Sequence, residues 1–73
     1  MKDNDTTVGE LLSKNRFSKK VIYRIDTGLF GWKNYTYVGR DKYGQILLER
    51  SAKEELEALN LFPENARVIV IKL

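Results

Sequence analysis

The spacing of apolar residues changes along the chain, and each change marks a predicted element. Thr7-Val8-Gly9-Glu10 places a carboxylate three residues after a hydroxyl, the pattern of a helix capping box. Leu11 and Leu12 follow, which predicts a short helix from Val8 to about Lys14. From Phe17 the period becomes two. Phe17, Lys19, Val21, Tyr23 and Ile25 share one face of a strand that Asp26-Thr27-Gly28 ends. After the apolar loop Leu29-Phe30-Gly31, a second strand is expected over Trp32–Arg40 and a third over Gln45–Arg50. Asp41-Lys42-Tyr43-Gly44 joins them as a hairpin turn in which Gly44 can take positive φ.

Ser51-Ala52-Lys53-Glu54 reads as a second capping box, with Glu54, Glu55 and Glu57 at the dipole-favoured end and Ala52, Leu56 and Leu59 at helical spacing. Pro63 closes this segment. The last strand, Arg67 to Leu73, alternates little and is expected to be central or covered on both faces. The class is therefore α+β: a small single domain with a short N-terminal helix, a three-stranded antiparallel meander, one helix, and a final strand completing a four-stranded mixed sheet. That strand is placed beside the first, with the third as the alternative neighbour after a right-handed crossover. Residues 1–6 are expected to form a flexible tail and 7–73 the domain.

Composition narrows the chemistry. Of 73 residues, 42% are hydrophobic and 32% charged, a globular balance. The absence of cysteine removes disulfides and thiolate metal sites. The absence of histidine removes the commonest general base and metal ligand. Ser13, Ser18 and Ser51 consequently lack a base to activate them, and Asp26 and Asp41 sit where turn chemistry explains them. Gly28-Leu29-Phe30-Gly31 lacks the spacing of a phosphate loop. These features predict a protein that is not an enzyme and has no cofactor, metal or small-molecule substrate. The polar N-terminus and the short apolar run Val68–Ile71, against the ~20 residues a span needs, predict no membrane partner and a cytoplasmic location.

Charge distribution adds most. The net charge is +3, but residues 14–42 contain Lys14, Arg16, Lys19, Lys20, Arg24, Lys33, Arg40 and Lys42 against Asp26 and Asp41, a local charge of +6. Seven of the eight aromatic residues fall between 17 and 43. Cations among aromatics suit nucleic acid, because cations engage phosphates while rings stack on bases. If Trp32 and Val38 face the core, Lys33, Tyr35 and Tyr37 form an exposed row. In the opposite phase the tyrosines are core, and Asn34, Thr36 and Arg40 face outward.

A three-stranded sheet followed by a helix, with Trp32, the Asp41–Gly44 turn and Ser51–Leu56 in comparable order, resembles the layout of arm-binding domains of some tyrosine recombinases and of a class of plant DNA-binding domains. The resemblance spans about residues 20 to 60. It implies a sheet laid against a DNA groove, although Gln45-Ile46-Leu47-Leu48-Glu49 lacks the basic residues such a surface uses and the Arg67–Leu73 strand is an addition.

The expected function is a basic, non-enzymatic nucleic-acid-binding accessory or regulatory protein. Its candidate contacts are Arg16, Lys19, Lys20, Arg24, Lys33, Tyr35, Tyr37, Arg40 and Lys42, with Trp32 as a further stacking residue. The alternative is a protein-interaction module, a small inhibitor or adaptor of phage or mobile-element type, anchored by Leu29, Phe30 and Trp32. A homodimer that completes the small core is compatible with both.

Overall fold

The computed structural model describes residues 4–51 and 55–72. Among them the chain forms β1 (Asn4–Thr7), α1 (Val8–Lys14), β2 (Val21–Asp26), β3 (Trp32–Arg40), β4 (Ile46–Arg50), β5 (Leu56–Ala58) and β6 (Arg67–Lys72), with short 3-10 turns at Gly28–Phe30 and Leu59–Leu61. The six described strands make one sheet in the order β1-β6-β2-β3-β4-β5, and every pairing is antiparallel.

Helix α1 starts where the capping residues place it. The Thr7 hydroxyl accepts a hydrogen bond from the Glu10 N–H at 3.2 Å, which satisfies one of the helix's orphan donors. The Glu10 carboxylate accepts from the Thr6 hydroxyl at 3.0 Å. Gly9, otherwise costly in a helix, sits against the backbone of Glu64. Its N–H donates to the Glu64 carbonyl at 2.8 Å, and a Cβ there would meet that oxygen at 3.2 Å.

One face of the sheet is the core. Val21, Tyr23 and Ile25 of β2, Tyr35 of β3, Ile46 and Leu48 of β4 and Val68 of β6 cluster with Val8 and Leu11 of α1 and with Leu59. Burying each such side chain contributes roughly 1.5–3 kcal/mol. On the uncovered face Arg24 and Asn34 are exposed, while Ile22, Ile69 and Ile71 are half-buried.

Several expectations are corrected. Residues 4–6, expected in a flexible tail, belong to β1 and pair with β6 through Asn4–Val70, Asp5–Ile69 and Thr6–Val68. The helix expected after Ser51 is not what residues 56–61 form. Leu56–Ala58 instead adds to the edge of β4 through Leu47–Ala58, Leu48–Glu57 and Glu49–Leu56. Ala58 at the end of β5 and Leu59 at the start of the 3-10 turn are both buried, and Pro63 holds Phe62 extended at φ −83°, ψ 151°. Residues 52–54, where the second capping box was read, lie outside the described residues.

The sheet is antiparallel and not mixed for the same reason. β5 and the segment after it cross the sheet once more than a single helix would. β6 therefore starts at the end where Thr7 and Ile25 lie and runs antiparallel to β2. Its position beside β2 is the expected one. With six described strands and its one described helix ahead of the meander, the molecule departs from the three-strand-then-helix layout that the sequence resembles.

Candidate nucleic-acid interface

An antiparallel sheet sends its connections to two ends, and here the ends differ in chemistry. At one end Val21 pairs with Lys72, which places the Lys19-Lys20 turn beside the end of β6. The preceding loop is tied down by aromatic contacts. The Phe17 ring stacks on Tyr37 at 5.4 Å and meets Tyr23 at 6.2 Å. The Ser18 N–H donates to the Tyr23 hydroxyl at 3.0 Å. Arg40 joins two further segments to this end, donating to Asn15 Oδ1 at the α1 C-cap and to the Gly44 carbonyl of the β3–β4 hairpin.

Lys14, Arg16, Lys19, Lys20, Arg40, Lys42 and Lys72 therefore gather at one end of the sheet, and all are exposed. Asp41 is the acid placed there among the described residues. Its carboxylate is occupied in accepting from the Tyr43 and Gln45 N–H groups at 2.8 and 2.9 Å. Lys14 also lies in the last turn of α1, where the negative end of the helix dipole favours a cation.

Not all the predicted contacts belong to this cluster. Arg24 projects from the uncovered sheet face, its guanidinium 6.0 Å from the Trp32 ring. Lys33 pairs with Ile25 toward the opposite end and lines a cleft with Phe30, Tyr35, Arg50, Glu57 and Phe62.

The tyrosine row is not an exposed platform. Tyr35 is only 2% exposed, packs edge-on to Phe62 at 5.6 Å, and lies beside Glu57. Burial, reinforced by the Glu57 charge and hydrogen bond, pushes its pKa up to about 12. Tyr37 is half-buried under Phe17. The tyrosine-in phase holds, with one change to the expected outer row. A bulge between Tyr37 and Gly39 shifts the register and sets Arg40 opposite buried Ile46, on the α1 side.

The other end is apolar and carries charges of both signs, with Lys33 and Arg67 there as well as acids. Gly28–Phe30 carries a fully exposed Leu29 and a 78%-exposed Phe30, with Trp32 and Leu61 exposed nearby. Its backbone is held by Gly28 N–H to Asp26 Oδ1 at 2.9 Å and Thr27 N–H to the Gly31 carbonyl at 2.9 Å. Glu10, Asp26 and Glu64 lie toward this end. Among the described residues no helix is long and apolar enough to cross a membrane, and no cluster of acids could hold a metal ion.

No protein-family model matches the chain, nor does any curated protein or solved structure. The site must be judged from its own geometry. The basic end also holds Lys14, Lys72 and Tyr43, which are not among the contacts expected from sequence. Lys72 lies outside the basic window in sequence and joins it only through its pairing with Val21. Tyr43 was legible as a turn residue, but its 76% exposure becomes notable once the other aromatics at this end are seen to be packed.

Proposed function

We propose that this protein binds nucleic acid without catalysing a reaction, through the basic end of the sheet. The observation that carries the reading is the convergence of seven exposed cations from three stretches of chain, with Asp41 committed to backbone donors. Such an array displaces counterions from a phosphate backbone, and its free energy comes largely from their release. The contacts are Lys14, Arg16, Lys19, Lys20, Arg40, Lys42 and Lys72. Lys33, Tyr35 and Tyr37 take no direct part, and Arg24 flanks the site on the uncovered face.

The test is fluorescence anisotropy with labelled oligonucleotides across a salt series. Log affinity should fall linearly with log salt, by ~0.7–0.9 for each phosphate neutralised. Lys19→Glu/Lys20→Glu/Lys42→Glu should weaken binding by roughly tenfold or more and flatten the slope. Lys33→Glu and Phe30→Ala should leave both nearly unchanged. Salt-independent binding, or equal losses from Lys33→Glu, would overturn the reading.

A second reading, a protein-interaction module anchored at the apolar end, is favoured by one observation. Leu29 and Phe30 stand in solvent on a turn whose backbone hydrogen bonds hold it in place. Exposed aromatics on a fixed loop are effective interface anchors. This reading needs no cation.

A further inference from the structure

We infer that the nucleic acid recognised is single-stranded and that Tyr43 stacks on one of its bases. The inference rests on the basic-end reading and adds to it a ligand form and a base-contacting residue.

Three aromatics near the basic end are spoken for: Phe17 and Tyr37 stack on each other, and Tyr23 is buried. Tyr43 is 76% exposed at the tip of the β3–β4 hairpin. An exposed ring on a loose loop would carry no argument, but this turn is locked. Asp41 Oδ1 accepts from both Tyr43 N–H and Gln45 N–H, Asp41 N–H donates to the Gln45 carbonyl at 3.0 Å, and Gly44 N–H donates to the Asp41 carbonyl at 3.0 Å. Gly44 takes φ 81°, a left-handed conformation open to glycine, and Arg40 donates to its carbonyl. The ordering entropy of the Tyr43 backbone is thus lost on folding and not on binding.

The neighbouring charge fits the same role. The Lys42 ammonium lies 5.2 Å from the Tyr43 ring centroid, so a base stacked on that ring places its own phosphate near a cation. Base faces are accessible only in unpaired strands, since a duplex hides them. A β-ribbon can instead enter a duplex major groove, but it then needs cations along its arms for the groove walls. Between Val38 and Leu47 the arms supply Arg40 alone, one cation for two groove walls. The other cations lie around the base of the hairpin, where they suit a strand crossing the end of the sheet.

Three probes test this by anisotropy: a dT oligomer of about 12 nucleotides, within the usual single-strand site sizes; an abasic deoxyribose-phosphate oligomer of the same length; and a blunt duplex. Tyr43→Ala should weaken binding to the dT oligomer by roughly 5- to 100-fold and leave binding to the abasic oligomer unchanged. Tyr43→Trp should restore affinity, with its fluorescence quenched on binding. Unchanged Tm in both variants would show that the fold is intact. Equal losses on dT and abasic probes, no loss on either, or preference for the duplex would overturn the stacking inference while leaving the basic end as a phosphate site. If the wild type bound none of the three, the nucleic-acid reading itself would fall.

Discussion

Tyr35 lies opposite Tyr23 and Arg50 in the sheet, and its hydroxyl reaches Glu57. Desolvation and the Glu57 charge make its proton harder to remove than in the unfolded chain, where the pKa is near 10.0. The folded state therefore holds this proton more tightly. The resulting stability is fully present below about pH 10 and is lost as pH rises toward about 12. Urea unfolding across this window should show Tyr35→Phe losing stability less steeply than the wild type. An equally steep loss would show that Tyr35 contributes nothing to it. Single residues with a local job were legible from sequence: Thr7 as a cap, Asp26 and Asp41 as turn acceptors, and Gly44 as a left-handed residue all act as their neighbours imply.

Strands β3 and β4 follow their sequence pattern closely, because period two and a turn of Asp and Gly leave little else for residues 32–50 to do. The phase of β3 was not legible. Trp32 and Val38 on one face and Tyr35 and Tyr37 on the other are equally good strand residues, and only the packing of α1 and Phe62 decides between them. Gly39 then changes the face of Arg40. It adopts φ 136°, a conformation closed to side chains, and the bulge beside it turns Arg40 toward Asn15. Gly39→Ala should lower stability by about 1–3 kcal/mol and release the Arg40–Asn15 bond, detectable as a shift in the Asn15 side-chain amide resonances. A variant as stable as the wild type would show that the bulge needs no glycine. Strand β5 was hidden for a different reason. Helical spacing over Ala52, Leu56 and Leu59 is a short signal, and the open edge of β4 outweighs it by pairing with Leu56–Ala58.

At the scale of the whole molecule, one end presents cations and the other apolar side chains. The excess of positive charge over residues 14–42 was visible along the chain, but its shape was not. Register brings Lys72 into the cluster, takes Lys33 out of it, and leaves Tyr43 as its exposed ring. Steering of a polyanion toward that end follows from the charge distribution itself. The most direct measurement is an amide chemical-shift map of the labelled protein titrated with a dT oligomer at low salt. The account predicts the largest shifts at residues 14–20, 40–45 and 72, reversed by added salt, with Gly28–Trp32 unmoved. Shifts centred on Gly28–Trp32, or none at all, would contradict it.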